Sequence, residues 1–424
     1  MRWMQIHPYK EGHRLVGGRL EVHGQAKFLK TGKPLRNYGD PGEVNQLMRD
    51  LPIIAGKGYD NLAINCYWHH FNPSGDGRIE VSLDPLRQLL EAVREHGMYA
   101  SLSVETYGVG GGQIPAGFWE RHPEAVAVNH EGHAVRDTEY GYNTAVPSLF
   151  SRAYLEASRH YMRNLVAGLG AEHFLYFETT VEPQFMGGQW LDYSEMARSA
   201  YESWAKQHEE LEPLPFPDAF PIGPAFVESR AWNCFRARQL AEWIDGDALA
   251  LKAGAGGKAL WIATDYLDAE EPTMMRRLGD PIELLQRLRH VNILQVNWSW
   301  CNIERRPNHK AYERVHQAIR EHGKEWAVTE HMTINGTDYF PEDIEGLLLN
   351  TLANGTRFGW EFVDIGPDTD DPTTKPNQVL PGDFKPQHFC LYDAEWNPKP
   401  TMALIESDWD RWMKLTEGSQ IQSN

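Results

Sequence analysis

Cysteine is scarce in this sequence, and its few copies follow no pattern. The four cysteines, Cys66, Cys234, Cys301 and Cys390, are widely spaced and form no CxxC pair. Disulfide frameworks and redox motifs place their cysteines at regular short spacings, so neither is expected here. Free, mostly buried thiols in a reducing compartment are the expectation.

Basic charge and long apolar runs are also in short supply. The chain has 424 residues, with 59 acidic and 41 basic side chains, which give a formal net charge of −18. That excess repels phosphate groups, so nucleic acids and anionic membranes are poor candidates for partners. No apolar stretch approaches the length of a membrane span, and residues 1–18 lack the apolar core of a signal peptide. The sequence therefore predicts a cytoplasmic protein.

A phosphate-binding glycine turn is missing as well. The cluster from Gly108 to Gly112 is followed by Gln113, where a dinucleotide fingerprint needs its third glycine. It also lies in a long predicted loop rather than between a strand and a helix. This argues against an open, doubly wound sheet, which is the main alternative to a barrel.

What the sequence does contain is a regular alternation of strands and helices from about residue 20 to residue 415. A hairpin is predicted first, from Leu20 onward, because Gly24 supplies a turn between two short strand-like runs. The strands predicted after it are Leu35–Tyr38, Asn61–Tyr67, Tyr99–Val104, the run from Phe174 to Glu182, Ala259–Thr264, Asn292–Trp298, the run from Glu325 to Glu330, and Arg357–Phe362.

Eight strands that alternate with helices predict an α/β fold, a (β/α)8 TIM barrel, which spans residues 1–424 as a single domain. A loop and helix insertion is predicted after strand four. It includes an irregular, proline-rich excursion at residues 211–224.

Carboxylates follow several of the predicted strands. They are Glu105, Glu182, Asp265 and Glu330. In a barrel, the carboxyl-terminal ends of the strands form the mouth, where such folds place their catalytic residues. Glu182 and Glu330 close strands four and seven, which are nearly opposed across the barrel. Two facing carboxylates are the minimal equipment for cleaving a glycosidic bond. Glu178 is the alternative acid/base, because an extended strand puts it on the same face as Glu182.

Aromatic and polar side chains near the strand ends supply a candidate sugar-binding set. The 15 tryptophans and 17 tyrosines are consistent with a large barrel core and equally with rings that stack on sugars. About half of the candidates are expected to have only structural roles. The set is Tyr67, Trp68, His69, His70, Glu105, Asn297, Trp298 and His331.

Several short segments resemble one family of enzymes. They are Gly58 to Asn61, Tyr67 to Pro73, Pro115 to Trp119, Arg121 to Ala125, Asn143 to Pro147 and Asp393 to Pro400. Together with the two glutamates, they are similar to the retaining β-glycosidases of glycoside hydrolase clan A. The nearest likeness is the barrel domain of the family 42 β-galactosidases.

This resemblance implies roles for individual residues. Glu182 falls at the position of the acid/base, Glu330 at that of the nucleophile, and Trp360 at that of an aromatic platform under the sugar. The implied function is a retaining exo-β-glycosidase on a neutral sugar, with β-galactoside as the leading choice, acting through a covalent glycosyl-enzyme. One departure is Val181, because the clan has an asparagine there that contacts the sugar 2-hydroxyl. That contact has to come from elsewhere, or the substrate differs.

Other functions stay open at this point. An endo-acting β-glycanase of the same clan differs only in the loops around the cleft. A metal-dependent barrel sugar isomerase or epimerase would use ligands from the set His69, His70, Glu105, Asp265 and His331. No HxH or HExxH spacing supports such a site, so no metal or cofactor is expected. A non-catalytic carbohydrate-binding protein is the third alternative, and assembly into a homo-oligomer is left open.

Overall fold

The structure is a computed structural model of the chain. It describes residues 3–107, 114–137, 144–186, 189–218, 224–267, 273–297, 309–322, 324–332, 341–366 and 391–418. Within these residues, no helix is both long enough and apolar enough to cross a membrane.

Eight parallel strands form a closed barrel. In order around the barrel they are β5 (Leu29–Lys33), β6 (Asn61–Tyr67), β7 (Tyr99–Glu105), β10 (Phe174–Glu178), β11 (Ile262–Leu267), β12 (Ile293–Asn297), β13 (Ala327–Met332) and β14 (Gly359–Val363). Pairing of β14 with β5 closes the ring. This confirms the predicted (β/α)8 TIM barrel.

Helices alternate with the strands and lie outside the barrel. They are α1 (Pro41–Gly56), α2 (Trp68–Phe71), α3 (Asp84–Glu95), α4 (Ala116–Arg121), α5 (Arg152–Leu169), α6 (Glu195–Ala205), α7 (Pro224–Val227), α8 (Arg230–Gly254), α9 (Thr273–Leu278), α10 (Pro281–Arg287), α11 (His309–Glu321), α12 (Pro341–Asn354) and α13 (Pro400–Gly418). Side-chain caps set several of their starts. For example, Asp40 accepts a hydrogen bond from the Gly42 amide, and Ser151 accepts one from the Tyr154 amide.

The predicted hairpin is part of a small sheet at the bottom of the barrel. Strands β1 (Met4–Ile6), β2 (His13–Val16), β3 (Arg19–Val22) and β4 (Gln25–Lys27) pair antiparallel in that order. Leu15 and Leu20 pack with Ile293 and Ala327 in one buried cluster. The sheet therefore closes the barrel at the end opposite the predicted mouth. A two-stranded ribbon, β8 (Arg136–Asp137) with β9 (Thr144–Ala145), lies in the segment between β7 and α5.

The predicted positions of the first and fourth strands are wrong. The first barrel strand is Leu29–Lys33 rather than Leu35–Tyr38, because a strand that carries two lysines does not look buried in the sequence. Both lysines are nevertheless buried: Lys30 donates to the Lys57 carbonyl oxygen and Lys33 is ion-paired. The fourth strand ends at Glu178, four residues before Glu182.

Side chains alternate between the two faces of the barrel wall. On β14, the Glu361 side chain points into the barrel and contacts Lys33, whereas Trp360 points out toward the helices. The register pairs Glu330 with Trp360 and Trp360 with Lys30, so these three residues share one phase of the alternation. That phase decides which strand-end residues reach the mouth.

Candidate active site

Glu182 lies at the mouth of the barrel, in the turn that follows β10. Its backbone φ is 51°, in the left-handed region that residues other than glycine seldom adopt. The Glu182 amide donates to Asp265 Oδ2 over 2.9 Å, and Asn297 Nδ2 donates to Glu182 Oε1 over 3.0 Å. Such backbone strain costs about 1–3 kcal/mol and persists where surrounding contacts hold it, often at functional sites. Here both the backbone and the carboxyl group are held.

Glu105, at the end of β7, fixes the same turn from the other side. Its Oε2 accepts from the Val181 amide over 2.9 Å, and its Oε1 accepts from Ser103 Oγ over 2.8 Å. Burial raises the pKa of Glu105, and the charge of Lys33 partly opposes that shift. The sequence predicted Glu105 as a sugar-binding residue, but the structure shows it bonded within the protein.

Asp265, on β11, faces the barrel next to Glu182. Its Oδ2 receives the Glu182 amide and also Asn297 Nδ2, at 3.3 Å. Its Oδ1 is buried and has no hydrogen-bond partner among the residues that the structure describes. Burial, and then the negative charge of Glu178, raise the pKa of Asp265 well above its usual value. The Asn297 amide thus bridges two carboxyl groups from different segments.

A buried ion cluster lies inside the barrel. Lys33 Nζ is 3.1 Å from Glu178 Oε2 and 3.1 Å from Glu361 Oε1. Tyr176 Oη donates to Glu361 Oε2 over 3.3 Å. Burial opposes the charge on Lys33, but Glu178 and Glu361 outweigh it and raise the pKa of the amine well above its usual value. Glu178 is therefore bound to a cation in the barrel interior, and the geometry favours Glu182 over Glu178 for proton transfer at the mouth.

Glu330 does not face Glu182, contrary to the expectation from the sequence. Its side chain points to the helix side of β13, where Thr356 Oγ1 donates to Glu330 Oε1 over 2.5 Å and His316 Nε2 of α11 lies 3.4 Å away. The residue is fully buried there. The reason is the alternation of the strand, which gives Glu330 the outward phase of its register partner Trp360.

Two predicted aromatic contacts are also corrected. Trp360 is fully buried, donates from Nε1 to Thr351 Oγ1 over 3.0 Å, and packs edge-on against Trp409 and Trp412. Trp68 is fully buried too, and stacks on Tyr161 with ring centroids 6.3 Å apart. Both rings belong to the core between the barrel and its helices, so neither reaches a sugar at the mouth.

Tyr67, His69 and His70 are placed more favourably. They follow the end of β6, are only partly buried, and form a chain of rings with centroids 5.2 Å apart for Tyr67–His70 and 4.0 Å for His69–His70. Tyr67 is the register partner of Glu105. Trp298 lies outside the described residues. His331 lies on β13 as the register partner of Glu361, but its side chain is outside the described part.

The structure offers no support for the metal-binding alternative within the described ranges. There, no group of three or more histidine, cysteine, aspartate or glutamate side chains is arranged to hold a metal ion. Of the four proposed ligands with described side chains, Glu105 and Asp265 are bonded to the turn around Glu182 instead.

Sequence reasoning missed Lys33 and Glu361. Each is a charged residue within a short strand whose other residues are also buried, Leu29–Lys33 and Gly359–Val363. Charged residues inside such strands are a usable signal, because a buried charge requires a partner of opposite sign. Lysine and glutamate on neighbouring strands would have indicated the ion pair.

No family model matches the sequence, and no curated protein matches it. Solved structures do match. A β-galactosidase from the psychrophilic Marinomonas ef1 superposes with a TM-score of 0.67 at 13% identity, over 92% of this chain and 60% of that chain. A GH42 β-galactosidase from G. stearothermophilus gives a TM-score of 0.65 at 13% identity, over 93% and 57%.

The catalytic domain of a β-amylase from Paenibacillus polymyxa is similar over almost its whole length. It gives a TM-score of 0.62 at 12% identity, over 90% of this chain and 97% of that chain. This chain spans less than two thirds of the β-galactosidases named above. At this level of identity the likeness shows the fold, a (β/α)8 barrel of the kind that these glycoside hydrolases use.

Proposed function

We propose that the protein is a β-glycosidase, a glycoside hydrolase in which Glu182 is the general acid and then the general base. The observation that carries this is the placement of Glu182 at the mouth of the barrel, with its backbone held in a left-handed conformation by Asp265 and its carboxyl group bonded to Asn297. The matching barrels named as β-galactosidases and β-amylase support the reaction class.

Glu182 is suited to this role because it keeps contact with solvent. It is 8% exposed, whereas Glu178 is 1% exposed and paired with Lys33. As the bond between the anomeric carbon and the glycosidic oxygen breaks, the Glu182 proton passes to that oxygen. Water then supplies a hydroxyl group to the sugar, and its remaining proton returns to Glu182.

The finer part of the proposal is a retaining, exo-acting enzyme with β-galactosides as its first choice of substrate. It is supported by the sequence resemblance and by the names of the matching β-galactosidases. Retention needs a second carboxylate that attacks the anomeric carbon. We do not give that role to Glu330, because its carboxyl group lies on the other side of the barrel wall.

Asn297 supplies a side-chain amide beside the proposed acid/base, Glu182. The residue that precedes Glu182 in the sequence does not. The preceding residue is Val181, whose side chain cannot hydrogen-bond. Asn297 reaches Glu182 from β12. It is therefore our choice for the residue that meets a sugar hydroxyl near the scissile bond.

The test is a panel of aryl β-glycosides of different neutral sugars, read by release of the chromophore, with Glu182→Gln as the matched control of reduced activity. We expect turnover by the wild type on at least one glycoside, and a β-anomer as the first product in a proton NMR time course. If no glycoside in the panel releases its chromophore, the proposed glycosidase activity is wrong. An α-anomer as first product would leave a glycosidase but overturn retention.

If retention holds, a 2-deoxy-2-fluoro glycoside with a good leaving group should trap the covalent intermediate. Peptide mapping by mass spectrometry then identifies the attacking carboxylate directly. Attachment to Glu330 would show that its side chain moves from the helix side of β13 into the barrel when the sugar binds.

A further inference from the structure

The chain directly after Glu182 is tied to α9, the helix that follows β11. Arg277 of α9 donates from Nη1 to Gln184 Oε1 over 2.8 Å, and the Phe185 amide donates to the Arg277 carbonyl oxygen over 2.8 Å. Only Pro183 separates Glu182 from Gln184, and the ring of a proline fixes its own φ. The position of α9 therefore sets the position of the backbone just beyond Glu182.

A second arginine, Arg236 of α8, holds α9 and a later part of the same loop. Its side chain is fully buried. Nη1 donates to the Met275 carbonyl oxygen over 2.7 Å, Nη2 donates to the carbonyl oxygen of Arg276, and Nε donates to that of Leu191. Met275 and Arg276 belong to the last turn of α9, where a cation is favourable. One side chain thus joins α8, α9 and the loop after Glu182.

Two aromatic rings from that loop cover the same guanidinium group. Its central carbon lies 4.4 Å from the centroid of the Phe185 ring and 5.6 Å from that of the Trp190 ring. A guanidinium group is attracted to the faces of aromatic rings at such distances. Phe185 lies three residues after Glu182 and Trp190 lies next to Leu191, so Arg236 contacts the segment from Pro183 to Leu191 near both of its ends.

This arrangement is costly if packing is its only purpose. Within the described ranges, every hydrogen bond of Arg236 is accepted by a neutral oxygen atom, including Asn233 Oδ1 at 3.4 Å. Burial lowers the pKa of Arg236 to about 10, against the opposing influence of Tyr193 and Asp192. An apolar side chain of similar volume would avoid the desolvation of a buried charge. What the guanidinium group adds is a rigid fork of donors, which fixes three segments at defined angles.

We propose that Arg236 is a positioning residue for the general acid, which holds α9 and the loop after Glu182 so that the Glu182 carboxyl group stays aligned with the leaving oxygen. The connection runs from Arg236 to α9, from Arg277 to Gln184, and through Pro183 to Glu182. This inference rests on the proposed function, since it assigns the alignment of the acid/base to a residue in the helix layer.

The test replaces the fork and keeps the charge. In Arg236→Lys, a compact ammonium group does not match three carbonyl oxygen atoms arranged around a planar guanidinium group, so α9 and the loop lose part of their fixed geometry. A misplaced general acid slows the departure of poor leaving groups most. We expect kcat on an alkyl glycoside to fall about tenfold or more, and kcat on a dinitrophenyl glycoside to change by less than about threefold.

The matched control is Arg159→Lys, a change of the same kind in the helix layer. Arg159 of α5 donates from Nε to Asp247 Oδ1 over 3.0 Å and from Nη2 to the Trp243 carbonyl oxygen over 3.2 Å. We expect it to lower stability in chemical denaturation, with the same relative rate for both leaving groups as the wild type. If Arg236→Lys loses rate equally on both glycosides, or loses none, Arg236 only packs and the inference is wrong.

A second variant tests the other end of the same connection and guards against misfolding of the first. Gln184→Leu removes the acceptor for Arg277 and leaves Arg236 in place. We expect a smaller loss with the same preference for poor leaving groups. Because both changes weaken one path, the double variant should lose less than the product of the two single losses. A loss in Gln184→Leu that is equal for both leaving groups would overturn the inference on its own.

Hydrogen exchange, followed by mass spectrometry, needs no substrate and separates this inference from the proposed function. In Arg236→Lys, the Phe185 amide and the amides of α9 should exchange faster than in the wild type, and in Arg159→Lys they should not. Faster exchange there, without turnover of any glycoside by the wild type, would reject the function and keep the role of Arg236 in holding the loop. Turnover by the wild type, with unchanged exchange in Arg236→Lys, would reject the inference and keep the function.

Discussion

The two sides of the barrel mouth differ in the direction that their strand-end side chains take. On the side of β10 to β12, Glu182, Asp265 and Asn297 point inward and bond to one another. On the side of β13 and β14, Glu330 and Trp360 point outward to Thr356 and Thr351. All of these residues belong to barrel strands or to the turns after them, yet the first group faces the barrel interior and the second faces the helices.

The difference teaches that the position of a residue along a strand does not decide whether it reaches the mouth. A strand alternates its side chains with a period of two, so a shift of one residue exchanges the inner and outer faces. Glu330 and Trp360 are register partners and fall on the outer phase together. The inner phase on that side belongs to Glu361, whose carboxyl group contacts Lys33.

The largest effect is expected on the inward side, from Glu182→Ala. A general acid matters most when the leaving group is poor, and its loss typically costs ~10²–10⁴-fold in rate. We expect about a 10³-fold loss in kcat/KM on an alkyl glycoside and a far smaller loss on a dinitrophenyl glycoside, with azide restoring turnover. Steady-state rates across a series of leaving groups provide the measurement.

The matched control is Glu178→Gln, which keeps the shape of the last residue of β10, the strand that precedes the turn with Glu182. Because Lys33 keeps Glu361 as a partner, the fold should survive. Its rate loss should be the same for every leaving group. If the leaving-group dependence appears in Glu178→Gln instead, the acid is Glu178 and the mouth assignment fails.

The next effect is on stability and comes from the outward side. Trp360→Ala should lower the free energy of unfolding by about 3–5 kcal/mol, since it removes a fully buried ring from between the barrel and α13. The KM of the folded fraction should not change. Tyr67→Ala is the contrast, because this partly buried ring follows the mouth end of β6, and its loss should raise KM with little change in stability. Chemical denaturation and kinetics on the same samples distinguish the two.

A smaller effect is expected from Glu330→Gln. The change weakens the contacts with Thr356 and His316, so the free energy of unfolding should fall by about 1–3 kcal/mol. The kcat of the folded protein should remain within about tenfold of the wild type. A loss beyond a hundredfold with unchanged stability, and rescue of Glu330→Ala by azide, would restore the nucleophile role implied by the sequence resemblance.

No effect is expected from chelation. In the proposed reaction carboxyl groups supply both the proton and the attacking group, so no cation has a required role. Turnover after exhaustive treatment with EDTA should equal that of an untreated sample. Loss of activity, with recovery on addition of Mn²⁺ or Zn²⁺, would favour the isomerase alternative.

The sequence predicted the barrel well, because apolar strands and amphipathic helices are visible in the order of residues. The second strand, Asn61–Tyr67, has the predicted bounds, and the third differs by one residue. The first strand was misplaced because its two lysines are compatible with burial only through partners on other strands. Such partners are distant in sequence, so local patterns do not reveal them.

For the candidate site, the sequence predicted which carboxylates lie near the strand ends, but not the face of the strand on which each one lies. Glu182, Asp265 and Asn297 were each predicted near the mouth, and the structure places them together there. Glu330 was placed at the correct strand and on the wrong face. Both faces of a barrel strand are buried, so a short strand often has no clear alternation of polar and apolar residues. Its sequence then does not indicate which side chains point into the barrel and which point toward the helices.

The small sheet at the bottom of the barrel also has a consequence for the order of folding. Residues in and beside its first strand bond to residues far away in the chain: His7 Nε2 contacts the Leu175 carbonyl oxygen, Asn292 Nδ2 donates to Gln5 Oε1, and the Trp3 amide donates to Glu325 Oε2. Contacts of such long sequence separation close late and slow the search for the native state. During synthesis at ~5–20 residues per second, the first strands wait tens of seconds for their partners to emerge. The bottom of the barrel is therefore among the last parts to form, and the earliest residues of the chain are the ones that complete it.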